Sequence, residues 1–348
     1  MTGLFDAVEN TSRRGVAITA AKYAIAIAAF AWLLGQIDIE RAASQFLRID
    51  GPTLAALAVV TVAGIVARFY TWQVVTVPIH PLSLRGAGAV DLVVNFLNQL
   101  LPSRLSGRVA APFVLRSRTG VAYADAAAIS GVHTGMYALL YGVTAIAGIA
   151  VSYRRLSVGL LVVLALSTAM YLVAGVFVLV AGTNLALLDP LVGVLVAVAR
   201  RVPRVGAALA ERVRKLPEFT ASSTASFQSL ATDWGVWLRY AVGWTGALVL
   251  APGIRVWLLL GSFGVAFEPA LLLPLYLVAA YSVTLLPITP GGIGVTEATA
   301  SAVFVALGVP SDVVVPVILI DRILGVYLPA LLGWYPSLGM DLASVSPE

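Results

Sequence analysis

The chain of 348 residues is 60% hydrophobic and 11% charged, with a mean hydropathy of +0.95 and a formal net charge of +5. Soluble domains carry about 25% charged residues, so this composition excludes one and reads as an integral membrane protein. No cysteine is present, which excludes disulfides, thiol catalysis and iron–sulfur clusters, and His80 and His133 are too few imidazoles for a structural zinc site.

No metal or cofactor is expected. The basic balance suits anionic lipid headgroups, whereas a nucleic-acid partner would need a soluble basic domain. The weak alternating pattern of an outer-membrane barrel is absent, so the expected fold is all-α: a polytopic helical bundle treated as one domain over 1–348. Runs long enough to span a hydrocarbon core as helix fall at about 16–35, 52–77, 121–151, 157–182, 236–264 and 312–336. The first follows Arg13 and Arg14 and resembles a signal peptide, but its apolar run is too long and reads as a retained span.

Two regions do not fit simple spans. Residues 88–118 hold the short apolar limb "GAVDLVVNFLNQLLP" and then a limb with Arg104, Arg108, Arg116 and Arg118. Residues 269–308 hold an apolar limb, the break "LLPITPGGIGVTEA" and another short limb. Both are expected to be re-entrant broken-helix hairpins. Between them, a basic connector over 184–235 carries Arg200, Arg201, Arg204, Arg212, Arg214 and Lys215 and is cytoplasmic by the positive-inside rule. Its "RRVPRVGAALAERVRKLPEF" is either an amphipathic surface helix or a solvated connector.

The two breaks align. "NQLLPSRLSGRVAAP" at 98–112 lies over "VTLLPITPGGIGVTE" at 283–297, with Leu-Leu-Pro and the later Gly107 and Gly292 in register. The first motif extends over 88–137 and the second over 280–327. With the amino terminus also cytoplasmic, the first hairpin enters from the cytoplasmic side and the second from outside, so the copies run in opposite senses, an inverted repeat of the kind that builds midplane transport sites. The alternative is chance similarity between two apolar segments rich in Pro and Gly.

Several residues in these motifs carry candidate chemistry. Arg104 and Arg108 share a helix face at i, i+4 and could fork onto a phosphate, or serve as anchors at headgroup level. Asn95, Asn98 and Gln99 could bind a headgroup or tie helices together. Gly291, Gly292 and Gly294 are expected to leave amides open to an anion at a helix start. Glu297 in that first turn could satisfy the helix dipole, couple a proton or pair with a cation. Arg322 is expected to meet Glu297 or a substrate phosphate, while its neighbour Asp321 points elsewhere. Arg68, Arg239 and Arg255 are assigned to snorkelling at the interface. Asp91 and Asp125 are read as capping or pairing with nearby arginines, and His133 as a helix-contact residue in preference to a proton carrier.

"NFLNQLLPSRLSGRVAAPFVLRSRTG" and "LLPITPGGIGVTEATASAVFVALGV…VILIDRILG" resemble the two signature regions of the lysylphosphatidylglycerol synthase transmembrane, or flippase-like, family. The first departs from the family pattern, with Arg108 where an acid is expected and "VHTG" at 132–135 in place of an acid–Arg pair. The resemblance implies a stand-alone membrane domain, without the soluble aminoacyl-transfer domain, that moves a phosphate-containing or anionic lipid between leaflets of the cell membrane. More distant expectations are a polytopic transferase using a lipid-linked sugar or aminoacyl donor, and a membrane anchor for a soluble synthase or glycosyltransferase partner. The oligomeric state is not readable from the sequence.

Overall fold

The computed structural model describes residues 49–100, 104–184, 216–286 and 288–338. Side chains at 100, 104–109 and 216–222 lie outside that description, as do the span expected at 16–35 and most of the basic connector. The described residues are helical, with no strand among them.

Helix α1, Gly51–Thr76, starts where the Asp50 carboxylate accepts the Thr53 amide at 2.7 Å, with a proline in the first turn that needs no donor there. That amide holds the Asp50 carboxyl below its usual range. Helix α2, Leu84–Leu100, and α3, Arg104–Thr119, form the first broken limb pair, and α4, Tyr123–Ser152, is the long span after it. Helix α5, Val158–Thr183, returns alongside α4, and Val162, Leu166, Val173 and Phe177 form an exposed apolar face that suits lipid. Glycines let α4 and α5 approach: a Cβ at Gly175 would lie 2.8 Å from the Leu139 nitrogen.

Helix α6, Leu216–Ala231, ends the connector and packs on α4 and α5, while the stretch read as either a surface helix or a solvated connector lies almost wholly outside the described residues. Phe227 is buried against Gly131 and Gly182, Ser226 donates to Asp125 at 2.5 Å, and Gln228 donates to the Thr183 carbonyl. Among the described residues Asp125, in the first turn of α4, accepts from a serine. The α6 side chains Phe227 and Leu230 bury apolar surface that a free connector would expose to water.

Helix α7, Trp234–Thr245, is capped by Asp233 and passes through a π turn at Gly246–Leu250 into α8, Ala251–Ser262. The second motif follows as α9, Leu273–Tyr281, a 3-10 turn at Ser282–Leu285, the break, α10, Val295–Ala306, and α11, Ser311–Arg322. A second π turn, Ile323–Tyr327, joins α11 to α12, Leu328–Ser337. The five expected spans from 52 onward thus match helices long and apolar enough to cross a membrane, beginning and ending within two residues of the sequence reading.

Among the described residues, α2, α3 and α4 follow one another in the first motif as α9, α10 and α11–α12 do in the second. Helix α2 packs on α12, and α9 packs on α4, so each first limb lies against the long span of the other motif. Glycine makes both crossings. A Cβ at Gly148 would fall onto the Leu275 carbonyl oxygen, and one at Gly333 onto that of Leu92. The register that sets 98 over 283 also sets Gly148 over Gly333. Gly148→Leu and Gly333→Leu are each expected to destabilise the protein by at least about 1–3 kcal/mol, since a backbone oxygen cannot yield as a side-chain tip can. The thermal unfolding midpoint in detergent checks this, with Gly159→Leu, where nothing lies within 4 Å, staying near wild type.

Candidate functional site

Glu297 organises the second break. It sits at the third position of α10 and is fully buried, and its Oε2 accepts the Gly294 amide at 2.7 Å. The carboxylate thereby closes the start of its own helix. Gly294 holds φ of 80°, a left-handed conformation that side chains resist, and Gly292 holds φ of 74° with its amide on the Thr289 carbonyl. This corrects one expectation: the Gly292 and Gly294 amides are engaged within the chain, and Gly291 and Gly292 are buried.

The other carboxylate oxygen of Glu297 accepts from Arg322 Nε at 2.8 Å and from the Tyr327 hydroxyl at 2.6 Å. The Arg322 guanidinium also lies over the rings of Tyr281 and Tyr327, at 5.4 and 5.6 Å. Its Nη2 is buried and has no hydrogen-bond partner among the described residues. Asp321, one residue back and so turned to another side of α11, takes Arg255 on Oδ1 at 2.8 Å from Nε and 2.7 Å from Nη2. Tyr281 completes the second pair by donating to Asp321 Oδ2 at 2.8 Å. One tyrosine thus touches both ion pairs, through its hydroxyl and its ring.

A third pair lies on the first motif's side. Arg68 of α1 donates from Nε to Asp91 at 2.7 Å and from Nη1 to the Gly325 carbonyl at 3.3 Å. Asn95 donates to the Val326 carbonyl at 3.3 Å. Both carbonyls belong to the π turn, whose wider winding takes its carbonyls out of the regular ladder, and polar side chains satisfy them where lipid could not. Gly325 must be small, because a Cβ there would meet Arg255 Nη2 at 2.5 Å.

These groups border two cavities. One, of about 80 Å³, is lined by Arg255, Arg322, Asp321 and Tyr281. The other, of about 120 Å³, is lined by Asp91, Asn95, Asn98, His133 and Trp244. Arg68, Tyr137, Ala247, Leu248, Gly325 and Val326 line both. Asp91 and Asp321 line the cavities with the three arginines, and Glu297 pairs with Arg322 from behind the lining, so each arginine has a carboxylate partner. A charge at the bilayer centre costs about 2.5–3.5 kcal/mol on insertion scales, which makes paired placement the expected arrangement.

Of the residues expected to form a site, Glu297 and Arg322 meet, and Asn95 and Asn98 line the larger cavity beside Arg68. Gly291 packs against Gln99 of α2, so the second break meets the first motif's first limb. The side chains of Arg104 and Arg108 lie outside the described residues. Snorkelling is corrected for Arg255, which is 4% exposed, and for Arg68, which is mostly buried, whereas the exposed Arg239 bonds back to Gly235. Asp91 pairs with an arginine as expected, and His133 stacks on Trp72 at 3.9 Å between helices. The sequence reading left Arg68, Arg255, Asp321 and Tyr281 outside the site. The signal that could have found the first three was their position as charges inside apolar spans. Among the described residues, no group of three or more His, Cys, Asp or Glu side chains is placed to hold a metal ion.

A UPF0104 membrane protein of Pyrococcus horikoshii is 42% identical over 55 residues, a match spanning 16% of this chain and 16% of that relative. No solved structure matches the chain. The sequence model described as the lysylphosphatidylglycerol synthase TM region matches residues 19–333, nearly the whole chain, and the chain, a multi-pass membrane protein, belongs to that family.

Proposed function

We propose that the chain is a lipid translocase of the cell membrane, carrying a phosphate-containing or otherwise anionic amphiphile between leaflets. The observation that carries this reading is the pair of cavities sharing one arginine-bearing lining inside an apolar bundle, with buried nitrogens of Arg68 and Arg322 lacking a partner among the described residues. Such a lining suits a headgroup in transit while the acyl or prenyl chains stay in lipid. It offers donors for a phosphate, and the pairing of each arginine with a carboxylate limits the cost of standing empty.

The matched glycine crossings and the packing of the second break on α2 support treating the motifs as two halves of one alternating device. With the halves in opposite senses, rocking one against the other opens the same lining first to one leaflet and then to the other.

The test is movement of headgroup-labelled anionic phospholipid in liposomes, wild type against Ala247→Trp. Ala247 lines both cavities, and an indole there plugs their junction. Wild type is expected to equilibrate the label and the folded variant to slow it about tenfold or more, as displacing a fitted polar group by bulk costs at least one tenfold step. If wild type leaves every labelled lipid where it was inserted, the translocase reading fails.

A further inference from the structure

The three nitrogens of Arg68 divide unequally. Nε is held by Asp91 and Nη1 by the Gly325 carbonyl, while Nη2 is buried and has no hydrogen-bond partner among the described residues. The same is true of the Trp244 indole nitrogen, a second lone donor, which lines the larger cavity with Arg68. A buried donor left unmade costs about 1–3 kcal/mol, more when charged, so two on one cavity call for an acceptor that visits it.

The acceptor has to reach both donors and tolerate a site whose formal charge is already balanced by Asp91. A single carbonyl offers one oxygen. A tetrahedral phosphate offers several, spread in space, and matches a guanidinium whose plane is fixed by two other bonds. The wall beside these donors includes Val94, Ala111 and Leu248, which give the apolar neighbours of such a group somewhere to lie.

We propose that Arg68, with the Trp244 indole, forms a docking station for the phosphate of a lipid headgroup, separate from the Glu297–Arg322 pair. The assignment rests on the translocase reading and adds a residue to it. Because Arg68 lines both cavities and Arg322, on the smaller one, carries a guanidinium nitrogen with no partner among the described residues, the phosphate passes from one arginine to the next across the shared lining.

The test is equilibrium binding to the purified full chain in detergent, with dihexanoyl phosphatidylglycerol, dihexanoylglycerol and inorganic phosphate as probes. Wild type is expected to prefer the phosphate-bearing lipid to dihexanoylglycerol by about tenfold or more, a difference within the reach of one charge-assisted hydrogen bond. Trp244→Phe, which keeps the ring and removes the donor, is expected to weaken that preference severalfold. Arg68→Gln leaves Asp91 buried without its cation and risks unfolding. The double variant Arg68→Gln/Asp91→Asn removes both charges and is expected to stay folded and lose the preference.

An undiminished preference in the folded double variant would overturn the station while leaving the translocase reading standing. Inorganic phosphate binding as tightly as the short-chain lipid would overturn the lipid assignment. If wild type shows no preference for phosphate-bearing lipid and moves none in liposomes, the underlying reading fails along with the station.

Discussion

Replacing Glu297 with Gln is expected to destabilise the protein by about 3–5 kcal/mol, because it strands the Arg322 charge in a site only 3% exposed to solvent. The substitution is nearly isosteric, and a glutamine carbonyl can still accept from the Gly294 amide or the Tyr327 hydroxyl. What disappears is the charge on the oxygen that Arg322 contacts at 2.8 Å. The loss is therefore electrostatic, and removing the opposite charge should reverse much of it. The double variant Glu297→Gln/Arg322→Gln is expected to regain most of the unfolding midpoint in detergent without regaining lipid movement in liposomes. A single variant as stable and as active as wild type would show that the pair neither holds the break closed nor serves transport.

The same contrast separates two roles that the sequence left open for Glu297. As a capping group alone, it would tolerate glutamine in both assays. As a counter-ion alone, it would leave the Gly294 amide to be satisfied elsewhere. The geometry assigns it both tasks at once, one to each oxygen.

The Gly294 amide is engaged for the same reason. Gly-Gly-Ile-Gly before an apolar helix suggests open amides, yet Glu297 stands three residues after Gly294, the spacing of a helix start closed by its own side chain. That signal was present in the sequence. The long spans were legible for a simpler reason: bilayer thickness sets their length, and apolar runs such as 158–183 have no other solution.

The partners of Arg255 and Arg68 were not legible. Arg255 meets Asp321 at a separation of 66 residues, and Arg68 meets both Asp91 and a carbonyl 257 residues away. Nothing local encodes such meetings. Interfacial placement was the cheaper assumption for each arginine taken singly, and it failed because each had an acid within reach on another helix. The π turn at 323–327 was equally hidden, since its wide winding is fixed by the tertiary acceptors it supplies to Arg68 and Asn95.

The pair formed by Arg255 and Asp321 supports the second large expectation. Asp321→Ala should cost about 3–5 kcal/mol, because Arg255 is then buried with no acid beside it. Asp91→Ala should cost less. The Arg68 side chain is 18% exposed against 4% for Arg255, and it keeps its bond to the Gly325 carbonyl. Replacing the whole cluster with apolar groups, Arg255→Met/Asp321→Leu/Tyr281→Phe, should bring stability back near wild type, since a well-packed apolar substitute often equals a buried ion pair. That triple variant then isolates function from folding. If the cluster is only a bolt between α8, α9 and α11, lipid movement survives in it. If the smaller cavity must be polar for a headgroup to cross, the variant folds and movement stops. The latter is the expected result, because Arg255, Asp321 and Tyr281 all line that cavity as well as one another. A folded triple variant that moves lipid at the wild-type rate would confine the headgroup path to the larger cavity.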